Sequence, residues 1–553
     1  MSVEKLIVDH METWTSALQT RSTAGRGSSG KIDLYGIKKL RELILELAVR
    51  GKLVPQDPND EPASDLLKRI AAEKAELVKQ GKIKKQKPLP EISEEEKPFE
   101  LPEGWEWVHL PDIYFSISES SRKIKSSEIL PEGKYPVIEQ SQEFISGYCN
   151  NECLLIKLNN PVIVFGDHTR NIKFIDFDFV VGADGVKILS PILICERFFF
   201  WQLRSFKLDV RGYARHFKVL NSCLFALPPI AEQERIVEKV SSLMSLCDQL
   251  EQQSLTSLDA HQQLVETLLG TLTDSQNTAE LAENWARISE HFDTLFTTEA
   301  SVDALKQTIL QLAVMGKLVP QDPNDEPASE LLKRIAQEKA QLVKEGKIKK
   351  QKPLPPISDE EKPFELPEGW EWCRIGNIVN IKSELVSPKD YLNLYQVAPD
   401  IIEKGTGRVI SKRTVKESGV KGPNSRFYKG QIVYSKIRPS LSKVFLAEYN
   451  GLCSADMYPL DCYINPNYLL KYILSIPFLM QVKKAENRIK MPKLNSDSFY
   501  NIIVAIPPYN EQQAIFDKIN SIEAVCNGLI SYIGIYHKTQ LHLADALTDA
   551  AIN

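Results

Sequence analysis

A 64-residue passage occurs twice in the chain, 265 positions apart, with 56 of its 64 residues identical. The first copy runs from Ile44 to Trp107 and the second from Ile309 to Trp372, each closing on PEGWEW. The segments that follow the copies share almost nothing. Identical side chains at identical spacing bury the same faces, so the chain is constrained to two related modules, each a constant strut followed by a divergent domain.

Inside the copies the pattern is helical. Ile37, Leu40, Ile44 and Leu47 make an apolar stripe at helical spacing, repeated by Val302, Leu305, Ile309 and Leu312. The segment LVPQDPNDEPAS then interrupts the helix with three prolines. A second helix is expected from about Ser64 to Gln80, with Ser64 as its N-cap. The charged, proline-rich stretch that follows reads as an extended connector; its lysine run 82–87 could touch DNA, but a basic run beside an acidic run is more often solvated linker. Residues 1–21 look helical and 22–31, rich in Ser and Gly, read as a connector.

A second repeat, offset by 279, closes each half: LPPIAEQERIVEKVSSLMSLCDQL (227–250) answers IPPYNEQQAIFDKINSIEAVCNGL (506–529). Ile236, Val240, Leu243, Cys247 and Leu250 correspond to Ile515, Ile519, Ile522, Cys526 and Leu529. That alternating four-and-three spacing is a coiled-coil seam, so the two helices are expected to bury their stripes against each other, antiparallel. The proline pair pre-sets each helix start. A weaker echo relates LIVDHMETW (6–14) to RISEHFDTL (287–295).

The divergent segments mix short strand-like runs (161–165, 177–181, 431–437) with an apolar helical piece, Phe198 to Trp201 in one and 467–474 in the other. Those aromatics read as a buried helix face rather than as a platform for stacking bases. The fold class is therefore α+β: two α/β domains in a pseudo-twofold arrangement, joined by long helices. The expected division is helices and linker over 1–100, a first domain over 101–230, a central spacer over 231–365, a second domain over 366–510 and a closing helix over 511–553.

Charge separates the parts. The chain carries a formal charge of −5, but residues 373–510 hold 20 Lys and Arg against 10 Asp and Glu. Residues 108–230 hold 14 against 13. A local excess of that size suits phosphate binding. No apolar run reaches 18 residues, and nine scattered cysteines without a CxxC pair fit a reducing cytosol, so a cytoplasmic protein without a membrane partner is expected.

Catalytic signatures are missing. IPPY at 506–509 is like the (Asn/Asp/Ser)-Pro-Pro-aromatic loop of amino-methyltransferases, but that chemistry needs a polar group to orient the amine, and Ile506 and Leu227 cannot do it. No glycine-rich nucleotide loop is present, GADG at 182–185 is too short to count, and eight histidines show no metal-like spacing. A self-contained methyltransferase or nuclease is disfavoured.

Taken together, the LAVxGKLVPQDPxDEPAS-LLKRI block at 47–70 and 312–335, the PEGWEW entries and the (L/I)PPxxEQ exits resemble the DNA sequence-specificity subunits of type I restriction–modification systems. The resemblance covers nearly the whole chain. It implies a non-catalytic subunit whose two target-recognition domains each bind half of a split, asymmetric site on double-stranded DNA. It also implies helices that space the domains and dock two methyltransferase subunits that methylate adenine, with two motor–nuclease subunits in the full complex. Cofactors would then belong to partners: S-adenosylmethionine for methylation, ATP and Mg2+ for translocation and cleavage, none in this chain. The alternative is a repressor-like duplex binder acting alone.

Candidate DNA contacts are loops where cations and amides cluster with Gly or Pro. In the first domain these hold His168, Thr169, Arg170 and Lys173, then Arg211, Tyr213, Arg215, His216 and Lys218. In the second they hold Lys421, Asn424 and Arg426, then Lys436, Arg438, Ser440 and Lys443, then Arg488, Lys490 and Lys493. Arginine can take both acceptors of a guanine, whereas lysine mostly holds phosphate.

Overall fold

The structure is a computed structural model that describes residues 3–21, 31–117, 122–182, 185–208, 215–485 and 492–552. Its contacts divide the chain into two units, Met1–Ser257 with Tyr536–Asn553, and Leu258–Ile535. Each unit draws on the same parts. Unit 2 takes the end of the long helix Ile230–Asp274, the helices Thr278–Glu290, Phe292–Leu295 and Glu299–Val314, the strut helix Ala328–Lys344, a sheet domain, and the start of the long helix Tyr509–Ile552. Unit 1 takes the end of Tyr509–Ile552, the helices Val3–Asp9, Met11–Ser16 and Tyr35–Val49, the strut helix Ala63–Lys79, a sheet domain, and the start of Ile230–Asp274.

What unit 2 joins covalently, unit 1 assembles from the two chain ends. Lys317 Nζ donates to the carbonyl of Thr273 at 2.8 Å; its counterpart Lys52 donates to the carbonyl of Ile552 at 2.6 Å. Tyr35 Oη adds a bond to Asp545 Oδ1 at 2.7 Å, beside a Lys39–Asp545 ion pair at 3.4 Å.

The apolar stripes form helices as expected, with Ile37, Leu40 and Ile44 and their counterparts Val302, Leu305 and Ile309 all buried. The seam of the second long helix is shared out differently from a simple coiled coil. Ile515 and Ile519 enter the core of the sheet domain, among Val504, Ala505 and Tyr468. Only further along does the helix, through Cys526 and Ile533, join a helical core with Val265, Leu269, Leu272, Leu305 and Ile309.

Local expectations are corrected in two places. The stretch 1–21 is not one helix but two short ones, ending in a strand over Gln19–Arg21. The strut helix begins at Ala63, so Ser64 lies inside it and Pro62 takes the cap position without a side-chain bond. A side-chain cap is unnecessary because the Ala63 amide donates to the carbonyl of Gly104 at 2.9 Å, as Ala328 does to Gly369 at 2.8 Å. Tertiary docking supplies the acceptor that local sequence suggested.

The sheet domains share strand order despite their unlike sequences. In unit 1 a four-stranded sheet runs 114–117, 186–191, 162–166, 172–175 across its width; in unit 2 the order is 379–381, 457–462, 432–435, 444–446. All these pairings are antiparallel. A second sheet in each holds one parallel pair, 135–138 with 179–181 and 395–397 with 451–454. Its fourth strand attaches at opposite ends: 147–149 beside 135–138 in unit 1, and 384–386 beside 424–427 in unit 2. The entry strand pairs with the exit strand in both, 106–109 with 224–227 and 371–374 with 503–506. The helix Glu196–Ser205 buries Phe198 and Phe199 against Phe225, as its composition predicted.

Candidate DNA interface

Each sheet domain is locked to its long helix by the repeated motifs. Trp105 of PEGWEW is buried and donates its indole Nε1–H to Glu232 Oε2 at 2.9 Å, while Gln56 Nε2 donates to Oε1 at 3.1 Å. Trp370, Glu511 and Gln321 repeat this at 2.9 and 3.2 Å. Burial of these carboxyls raises the pKa of both glutamates, against the two hydrogen bonds that lower it. The neighbouring glutamine closes the other side. Gln233 accepts from the Cys195 amide at 2.9 Å and donates to the Pro228 carbonyl, and Gln512 does the same for Asn465 and Pro507. Beneath the tryptophan, Gly51 has φ +65°, and a Cβ there would lie 2.4 Å from Pro102; Gly316 is its twin against Pro367. From the sequence alone the EQ pair reads only as part of a helix start. The recurrence of PEGWEW with PPxxEQ in both halves is the signal that could have found this clasp.

So held, each domain projects a hairpin from its antiparallel sheet. The first lies between strands 162–166 and 172–175 and carries His168, Thr169 and Arg170; the second lies between 432–435 and 444–446 and carries Lys436, Arg438, Ser440 and Lys443. Candidates drawn from unrelated sequences thus occupy one topological position. Each hairpin is also bonded to the segment that precedes the exit strand. In unit 1 the His216 amide donates to the Asp167 carbonyl at 2.8 Å and the Phe217 amide to Asp167 Oδ1 at 2.8 Å. In unit 2 the Arg438 amide donates to the Pro492 carbonyl at 2.8 Å and the Leu494 amide to the Lys436 carbonyl at 2.9 Å, around a bridge between Ile437 and Lys493. Two of the sequence clusters in each domain are therefore brought into one site.

The backbone at that site is strained. Among the described residues only Arg170, Leu193, Arg438 and Ser442 are non-glycine residues at positive φ, and three of these four lie on the two hairpins. A side chain in the left-handed region costs of order 1–3 kcal/mol and persists where surrounding bonds over-determine it. Arg438 (φ +45°) is exposed, and its guanidinium has no ion pair among the described residues. Arg215 and Lys218 are likewise exposed. Arg170 (φ +63°) donates to the Leu208 carbonyl at 2.7 Å and lines an open cleft of about 600 Å³ with Thr169 and Arg204.

Other candidates hold the loops instead of standing on them. Lys173 is buried, and its ammonium donates to the carbonyls of Glu139, Glu143 and Phe144; burial lowers its pKa. His216 is buried against the Asp167 carbonyl. Asn424 is buried and bonded to Gln396 and Gly422, on a strand of the other sheet. Lys443 donates to the Pro399 carbonyl. Arg426 lies over the rings of Tyr391 and Tyr428 and faces Glu384 at 3.9 Å. Lys436 and Lys493 converge on Asp456, at 3.9 and 3.3 Å. Lys421 is exposed, apart from the hairpin cluster. Arg211, Tyr213, Arg488 and Lys490 lie outside the described residues, as do Ala183 and Asp184 of GADG. Among the described residues no group of His, Cys, Asp and Glu could hold a metal, and no helix is long and apolar enough to cross a membrane.

Residues 102–260 and 367–533 match the family described as the type I restriction modification DNA specificity domain, each match beginning at a PEGWEW motif. Over the full length of both chains the sequence is 51% identical to the EcoAI specificity subunit of Escherichia coli, a type I restriction enzyme component. It is 49% identical to the EcoEI specificity subunit of the same organism, again over both whole chains. A solved chain from a type I R-M system is similar over 82% of this chain and 99% of its own, at 15% identity and a TM-score of 0.46. The chain belongs to the type I restriction–modification DNA specificity family.

Proposed function

We propose that the two sheet domains each read one half of a split, asymmetric site on double-stranded DNA. The helices set the interval between the halves and dock two methyltransferase subunits that methylate adenine. Two restriction subunits complete a restricting assembly in the cytoplasm. S-adenosylmethionine, ATP and Mg2+ serve those partners and not this chain. Phosphate contacts would position the protein, and side chains on the hairpin clusters would specify the bases.

The observation that carries this reading is the common placement of the hairpins, each with an arginine held at positive φ and tied to the segment before the exit strand. Unlike hairpins on one framework suit unlike half-sites. Methylome sequencing of cells carrying the complex supplies the recognised sequence. Arg438→Ala and Arg215→Ala should then each weaken cognate binding by about 1–3 kcal/mol where the residue reads a base. A cognate-to-scrambled preference that neither substitution alters would overturn the assignment of these loops.

A further inference from the structure

The lysine run of the linker does not stand isolated in solvent. In unit 2 it forms one wall of an open groove of about 610 Å³, whose other wall is the sheet-domain edge at 380–383 and the helix Ser496–Tyr500. Five lysines line it, Lys347, Lys349, Lys350, Lys352 and Lys382, against a single acid, Asp497. Lys347 is paired with Glu345 at 2.8 Å and Lys352 with Asp497 at 3.1 Å. Lys349 and Lys350 are exposed and have no ion pair among the described residues.

One chain segment touches both the groove and the hairpin cluster. Leu494, whose amide holds the Lys436 carbonyl, is followed directly by Asn495, the N-cap of the helix whose Asp497 holds Lys352. The hairpin and the linker wall of the groove are therefore both tied to one short stretch of chain, residues 492–497. The same KIKKQK run recurs at 82–87, where Lys82, Lys84, Lys85 and Lys87 are all exposed.

We propose that this groove takes the sugar–phosphate backbone of duplex DNA flanking the half-site read by the second domain, a contact independent of base sequence. The proposal rests on the recognition reading above and adds to it a site outside the sheet domain's loops. Lysine ammonium groups, compact and strongly hydrated, suit phosphates as point charges and read no base edge; Lys349 and Lys350 are the two exposed ones without an ion pair among the described residues. An acidic protein surface is the other partner such a groove could take. Attachment of groove and hairpin to the same segment, 492–497, favours DNA.

The test uses the full-length chain with Lys349→Gln and Lys350→Gln combined, titrated against recognised and scrambled duplexes over a range of KCl concentrations. Each phosphate left without its lysine should make the slope of log K against log salt shallower by about 0.9, hence by about 1.8 for the pair. Affinity for both duplexes should fall by the same factor, leaving their ratio unchanged, and the double Lys→Arg variant should restore binding. An unchanged slope overturns the proposal, and if methyltransferase-subunit association is lost at the same time, the groove belongs to a protein partner. A changed cognate-to-scrambled ratio also overturns it, since the lysines would then be reading sequence. A wild-type chain with no cognate preference would sink the recognition reading instead, while the slope on scrambled DNA would still decide the groove.

Discussion

The two linkers are nearly identical in sequence, yet the two units hold them by different means. In unit 2 the buried Arg374 donates to both carboxylate oxygens of Glu361, at 2.8 and 2.9 Å, and to the carbonyls of Pro355, Pro356 and Asn501. This pairing holds the Glu361 carboxyl below its ordinary pKa. The equivalent residue in unit 1 is His109, whose ring makes one hydrogen bond among the described residues, Nε2 to the Pro90 carbonyl at 2.9 Å. The clasp shows the same division: Asp60 is caught by Arg235 at 2.6 Å, while its counterpart Asp325 is caught by Asn510 at 2.8 Å. Constant segments therefore supply what is to be held, and positions that differ between the halves supply the grip, at the start of the sheet domain and in the first turns of the long helix.

The largest expected effect would show where the units are alike. Trp105→Ala and Trp370→Ala each remove a buried indole and leave a buried glutamate short of a donor, which should cost about 3–5 kcal/mol in its own unit. Native-state hydrogen exchange, read separately on peptides of each unit, should find the two losses equal within about 1 kcal/mol. A large inequality would break the equivalence of the clasps.

A smaller effect should show where they differ. Arg374→Ala should destabilise the 353–366 linker by about 2 kcal/mol, between the ranges for exposed and buried ion pairs because Glu361 regains water. His109→Ala should change the 88–101 linker by no more than about 0.5 kcal/mol. Limited proteolysis of the full chain would show the contrast as faster cutting in the second linker only. Equal cutting of both would mean that Arg374 contributes no more than His109 does.

A third effect depends on pH. Lys339 donates to the carbonyls of Gly376 and Val379 at 2.6 and 3.0 Å, and burial pushes its pKa down to about 8. Lys74, its twin, donates to Pro111 at 2.6 Å and is lowered as well. Between pH 8 and 10.5 the unfolded chain binds the proton that folded Lys339 has lost, so stability should rise with pH across that window. Lys339→Met should make that slope shallower in urea melts of the chain. If the variant keeps the wild-type slope, Lys339 does not titrate there.

Much of the architecture is legible in the residues alone. The apolar stripes locate the helices because helical periodicity follows from local geometry, and the double repeat requires two like modules. The hairpin candidates are legible as cationic loops. Less visible is which cations stay free: Lys173 and Asn424 carry the same polar signature as Lys421, but the first two are drawn inside by carbonyls and amides distant in sequence. The N-cap expected at Ser64 fails for a similar reason, since the acceptor it would have supplied comes from Gly104, forty-one positions past Ala63.

The order of amino acids alone settled the number of modules, the course of the long helices, the absence of recognisable catalytic motifs and the family. Tertiary structure decided the rest. It joined the chain ends through Lys52 and Ile552 as Lys317 joins the internal junction, set two unlike hairpins at one position of a common sheet, and folded a linker's lysines into a groove. Local periodicity is written in neighbouring residues. A polar group's partner is chosen only when distant segments meet and compete for it.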